Sequence, residues 1–256
     1  MFPSKFRSVQ PGVLFQLKPF WKKLLPQSWV FIVVLAILLA IPRFILAMNG
    51  YYNAIIIIFM FMWFTPFLLL SNPGRKQIGL IKPSRPLWLL WGFLLGIAGA
   101  VLVYLIGYLT YGNTAPHWYT SVMNTFNKGT IIQDIRPNYL FFILFALPTM
   151  IFSPIGEEFF FRGIMQEAFA EKWDTKTATV IEAAFFGVTH LAHHGLMATV
   201  FGYRLLPSAF PWIFLMMAVS ILLSFVRNQS GSIWGAVLCH AGFNLGMMWC
   251  IFYLMN

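Results

Sequence analysis

Charge is what this sequence has least of. Asp and Glu together number 7 in 256 residues, and all charged residues make up 9% of the chain against 59% hydrophobic and 18% aromatic. A soluble domain of this length carries about a quarter charged residues, so that class is excluded and a polytopic membrane protein is expected. Cysteine is also scarce. Cys239 and Cys250 fall eleven apart on one expected helix, about 16 Å at 1.5 Å rise per residue, too far to pair with each other. No internal repeat, low-complexity tract or soluble domain is visible. No signal peptide is evident either, because a long polar and basic stretch precedes the first apolar run and no small-residue cleavage site follows it.

Long apolar runs are present instead. A crossing helix needs roughly 20 residues, and candidate spans are Trp29 to Met48, Ala54 to Leu70, Leu87 to Tyr111, Tyr139 to Phe169, Ala178 to His194, Ala209 to Val226 and Ile233 to Leu254. The expected fold is an all-α transmembrane helix bundle of seven helices, or eight if Tyr139 to Phe169 is two elements. That run would be about 46 Å long as one helix, and Pro148, Pro154 and Gly156 are expected to break it. A helix restarting at Pro154 with Ser153 as its cap would carry Glu157 and Glu158 in its first turn.

Residues 1–27 read as a cytoplasmic or interfacial segment, and "FQLKPFWKKLLP" suits the membrane surface. Residues 28–256 read as one membrane domain. Lys5, Arg7, Lys18, Lys22 and Lys23 precede the first span, and Arg75, Lys76, Lys82 and Arg85 follow the second. Both groups are expected on the cytoplasmic side, with the sparsely charged 112–138 segment, holding Lys128, Asp134 and Arg136, opposite. The cellular membrane of a bacterium is one home that fits. Net charge is +10, but the basic residues sit at span ends rather than in one patch. Anionic lipid is therefore the expected partner and nucleic acid is not.

Polar residues inside spans are expensive and mark function by default. The first three spans hold one charge, Arg43, whereas the back half holds Glu157, Glu158, Arg162, Glu182, His190, His193, His194, His240 and Asn244. Glu158 and Arg162 stand at i and i+4 and can neutralise each other. Glu157 then points about 100° away as a free carboxylate: a general base, or one member of a structural ion-pair cluster near a span end. Phe186 and His190 share a face, and so do His240 and Asn244, which can hold a carbonyl oxygen or water, or serve as interhelical glue. His193 and His194 read as an interfacial polar edge. Gly92, Gly96 and Gly99 form a small-residue packing face, while Gly242 and Gly246 admit another backbone or a substrate. Counted from the span ends, Glu157, His190 and His240 lie about 22, 21 and 15 Å deep, compatible with one shared buried site.

Glu157-Glu158-x-x-x-Arg162, Phe186-x-x-x-His190 and His240-x-x-x-Asn244, in that order over the last 120 or so residues, resemble the CAAX protease and bacteriocin-processing (CPBP, or Abi) family of intramembrane proteases. The resemblance implies a protease-like core at about 139–256. It also implies water activation by Glu157 and His190, oxyanion stabilisation by His240 and Asn244, and no cofactor. Glu158 and Arg162 match the family's second glutamate and arginine, and a supporting role follows from their pairing. The implied substrate is a membrane-associated peptide or protein, either a prenylated CAAX tail or a peptide cut near the bilayer. Two rivals stand beside it. A zinc hydrolase could recruit Glu157, His190 and His240, or His190 with His194, although no HExxH occurs. A non-catalytic immunity factor or scaffold could use the same polar cluster to bind a ligand.

Overall fold

The computed structural model describes residues 15–24, 27–128, 139–199 and 202–255. Lys5, Arg7, Asp134 and Arg136, which entered the orientation argument, lie outside them. The helices are α1 (Pro19–Leu24), α2 (Ser28–Met48), α3 (Tyr52–Leu69), α4 (Asn72–Gln77), α5 (Leu87–Tyr111), α6 (Trp118–Lys128), α7 (Tyr139–Glu157), α8 (Gln166–Ala170), α9 (Thr175–Thr189), α10 (Ala209–Ser230) and α11 (Ile233–Tyr253). A two-stranded antiparallel hairpin, β1 (Leu196–Thr199) and β2 (Gly202–Leu205), precedes α10.

The protein is an integral membrane protein of helical architecture. Among the described residues, five helices are long and apolar enough to cross a bilayer: α2, α5, the continuous Tyr139–Ala170 rod, α10 and α11. Of the other two expected spans, Ala54–Leu69 is apolar but shorter, and α9 stops at Thr189, five residues before the expected end at His194. Outward faces are rich in Leu, Ile and Phe, as at Ile37, Leu38 and Ile41 on α2 and Leu140, Ile143 and Leu147 on α7, the composition lipid requires.

The expected break at Pro148 and Pro154 does not occur. Both prolines lie inside α7, and the helix runs on through a π-helical stretch, Glu158–Met165, into α8. Ser153 is therefore mid-helix and caps nothing. Proline is tolerated in a membrane helix where neighbours satisfy the disturbed backbone. Side chains bond carbonyls close to both prolines: Trp63 Nε1 donates to Phe152 O at 2.8 Å, Asn244 Nδ2 to Thr149 O at 2.7 Å, and the Thr149 hydroxyl to Phe145 O and Ala146 O.

Helix α11 lies at the centre, packed on α5, α7 and α10. Its contact with α5 is set by glycine. A Cβ at Gly96 would sit 1.9 Å from Cys239 O, and one at Gly242 would sit 2.1 Å from Phe93 O, so two backbones touch where side chains would stand. The close neighbour of Gly242 is thus another backbone. At Gly99 a Cβ would meet its neighbours at ordinary contact, 3.6 Å and beyond. Gly96→Ala and Gly242→Ala are each expected to destabilise the purified protein by at least the ~1–3 kcal/mol typical of overpacking. Gly99→Ala is expected to stay within about 0.5 kcal/mol. Thermal unfolding in detergent checks the contrast.

The α1 segment lies against the end of α3. Lys18 Nζ donates to Phe67 O at 2.6 Å and Trp21 Nε1 to Leu68 O at 3.0 Å, while Phe20 and Leu24 point outward.

Candidate active site

Glu157 ends α7, and Glu158 opens the π-helical stretch. Such stretches wind wider than an α-helix and frequently mark functional sites. At this junction both glutamates face one imidazole. His240 Nδ1 lies 2.7 Å from Glu158 Oε1, and His240 Nε2 lies 3.8 Å from Glu157 Oε2. Because an ionised carboxylate only accepts, the Glu158 contact assigns the Nδ1 proton to His240 and leaves Nε2 facing Glu157.

Glu158 is fully buried and pairs with Arg162 at 3.1 Å, as the i, i+4 spacing predicts. Arg162 has a second anion on its far side. Its Nε is 3.7 Å from Glu182 Oε1, and Glu182 Oε2 accepts from the Ser220 hydroxyl at 2.9 Å. The guanidinium also lies 3.9 Å from the centroid of Phe186, a cation–π contact in a water-poor setting. Phe186 in turn packs on His190 with ring centroids 4.3 Å apart. The first two motifs therefore form one stack, Glu158, Arg162, Phe186 and His190.

His190 opens a 3-10 turn where α9 ends. Its Nδ1 lies 2.7 Å from Phe186 O and donates to it, and Trp212 Nε1 donates to His190 O at 2.9 Å. With Nδ1 committed to a carbonyl, Nε2 is the nitrogen left to accept a proton. Asn244 on α11 gives Nδ2 to Thr149 O at 2.7 Å and to Ser153 Oγ at 3.3 Å.

Glu157, His190, His240 and Asn244 line one cavity of about 390 Å³, walled largely by apolar side chains including Phe59, Phe145 and Met216. Glu158 and Arg162 stand behind His240 and Phe186, outside the lining. The four candidate catalytic residues, three of which helix depth left compatible with one shared site, all line this one cavity.

Three expectations need correcting. Glu157 is not free: Oε1 accepts from Arg43 NH1 at 2.5 Å, because α2 delivers its one buried cation to this point. His193 is not at an interfacial edge; it lines the cavity, and its Nε2 lies 2.9 Å from Arg43 NH2. Nor is His194, which is buried, with Nδ1 2.7 Å from the Ser121 hydroxyl and Nε2 2.9 Å from that of Ser208. The chain turns at His190 and runs back into the hairpin, folding both histidines under α2 and α6 instead of letting them run out along a straight helix. Arg43 and His193 are the site residues that sequence reasoning missed. The one available signal was that Arg43 is the lone charge in three apolar spans.

Other chemistries find less here. Among the described residues no group of three His, Cys, Asp or Glu side chains is placed to share a metal ion. Cys239 is buried on the α5 side of α11, outside the cavity lining, and Ser153 has its hydroxyl bonded to Asn244.

Residues 139–246 match the family model described as type II CAAX prenyl endopeptidase Rce1-like. The match covers less than half of the chain and supports the resemblance to the CPBP family. No curated protein and no solved structure matches the chain. The Rce1-like segment contains all three motifs and every catalytic candidate. At family level the match supports a CAAX-protease-type membrane peptidase. Arg43 comes from outside the Rce1-like segment, so the cavity is completed by residues the family model does not reach.

Proposed function

We propose that this protein is an intramembrane peptidase that hydrolyses a membrane-associated peptide bond without a covalent intermediate. The observation that carries this reading is that two adjacent carboxylates face the two nitrogens of His240 at a cavity that also exposes His190 and Asn244. Glu157 and His190 take a proton from water, whose oxygen attacks the scissile carbonyl carbon. The carbonyl π electrons move to oxygen, and the resulting oxyanion is met by Asn244, which gives up its longer contact with Ser153, and by His240 with a second proton on Nε2, its Nδ1 proton staying with Glu158. The tetrahedral carbon then releases the amine, which takes the proton back from Glu157.

Charge balance supports this assignment. Glu157, Glu158 and Glu182 face Arg43 and Arg162, leaving one negative charge unmatched. A buried cluster of this kind is tolerable when it closes to neutrality. One proton held among its carboxylates and histidines closes it in the resting state, and with that proton on His240 the Glu157 carboxylate is left ionised to take another from water and return it to the amine.

The Rce1-like description favours a prenylated CAAX tail as substrate, and the apolar lining suits a lipid-bearing guest. The basic flanks of the first two spans favour a cytoplasmic N-terminus, with anionic lipid around them.

The test is a profile of new peptide ends in membranes carrying the wild-type protein against membranes carrying Glu157→Gln at matched abundance. A parallel arm adds chelator, and a farnesylated CAAX peptide is supplied as probe. Ends that need Glu157 and survive chelation are expected. Chelator-sensitive ends would favour a zinc hydrolase, and identical profiles would favour a non-catalytic immunity factor or scaffold.

A further inference from the structure

Helix α2 is largely lipid-facing, with one buried stripe formed by Ser28, Ile32, Ala36, Leu39, Arg43 and Ala47. An arginine within a span costs several kcal/mol unless it is partnered. Every partner of Arg43 is a wall residue of the catalytic cavity: Glu157 Oε1 at 2.5 Å, His193 Nε2 at 2.9 Å, and the Phe59 ring, whose centroid is 5.1 Å from the guanidinium carbon. Because arginine only donates, His193 Nε2 is the acceptor, and Arg43 forks between a carboxylate and an imidazole.

We propose that Arg43, braced by His193, is a positioning residue for Glu157, which makes α2 an integral part of the active site. The two oxygens of Glu157 are treated unequally. Oε1 is held by Arg43, whereas Oε2 makes no hydrogen bond and faces His240 Nε2 at 3.8 Å. A carboxylate fixed by one oxygen presents the other in a single direction, the geometry a base needs toward a water between it and His190 or His240. Without the fork the carboxylate rotates, and neither oxygen is held toward the cavity. The inference rests on the peptidase reading above and adds a residue that lies outside the family segment.

The experiment uses the full-length protein in detergent, with a fluorogenic farnesylated CAAX peptide as probe. Arg43→Met is expected to lower kcat about 10²-fold, the usual cost of a misplaced reacting group, with KM little changed. Arg43→Lys is expected to keep more activity than Arg43→Met. Millimolar guanidinium is expected to restore part of the activity of Arg43→Ala and none of that of Glu157→Gln. Wild-type kcat in Arg43→Met overturns the proposal. So does a loss that neither lysine nor guanidinium repairs, which would make Arg43 a packing residue. Full activity in Glu157→Gln sinks the peptidase reading itself, whereas an inactive Glu157→Gln beside a fully active Arg43→Met sinks only this inference. Should the wild type leave the peptide intact, thermal unfolding reads the contact directly. Tm losses for Arg43→Met and Glu157→Gln that add fully in the double variant overturn the pairing, and sub-additive losses uphold it.

Discussion

Glu157→Gln is expected to cut peptide hydrolysis about 10³-fold, in the middle of the range that general base catalysis supplies. Glutamine keeps the shape of the side chain and can still accept from Arg43 through its carbonyl oxygen. It cannot take a proton from water, and its amide group would face His240 where Oε2 now stands. The same change leaves Arg43 without its counter-charge in a buried place, and breaking a buried pair costs roughly 3–5 kcal/mol. Both losses are therefore expected, and the measurement has to separate them. Turnover is compared at a temperature well below the unfolding transition of the variant, at matched folded concentration. A variant that is folded and as active as the wild type would end the assignment of Glu157 as base.

Arg162→Met is expected to have the largest effect on folding. Arg162 is fully buried and stands between Glu158 and Glu182, with Phe186 against its face. Methionine fills part of the volume but leaves two carboxylates without a cation, at roughly 3–5 kcal/mol for the broken pair. Helix α11 is also affected, since Glu158 holds His240 Nδ1. The expected outcome is little folded protein by size-exclusion chromatography. Arg162→Met combined with Glu182→Gln is expected to recover part of the yield, because it removes one of the stranded charges. Equal yields for the single and double variants would show that Glu182 does not depend on Arg162.

Much of this site was legible from local spacing. Glu158 with Arg162 and Phe186 with His190 are one-turn neighbours, and one-turn neighbours meet wherever the chain is helical or nearly so. His240 and Asn244 were legible as a shared face, and the apolar runs gave the positions of the long helices. What spacing could not supply was partnership across the chain. Arg43 and Glu157 are far apart in sequence, and no periodicity joins α2 to α7. Read alone, Glu157 looked unpaired because its partner belongs to another helix. The prolines misled for a related reason: Pro148 and Pro154 stop an isolated helix, but here Trp63 and Asn244 supply hydrogen bonds from neighbouring helices. The turn at His190 was hidden too, since an apolar run ending in histidines reads the same whether it continues straight or folds back.

The glycine contact between α5 and α11 has a consequence in time as well as in space. These helices are separated in sequence by α6 to α10, yet their backbones touch. Contacts between distant segments close large loops, and they form slowly compared with local ones. Of the intervening elements, the Tyr139–Ala170 rod and α10 are long and apolar enough to cross a bilayer by themselves, but His240 reaches Glu157 and Glu158 only when α11 docks. The candidate site is therefore completed at the closing step of assembly, and a chain in which α11 has not docked has its carboxylates without the His240 imidazole between them.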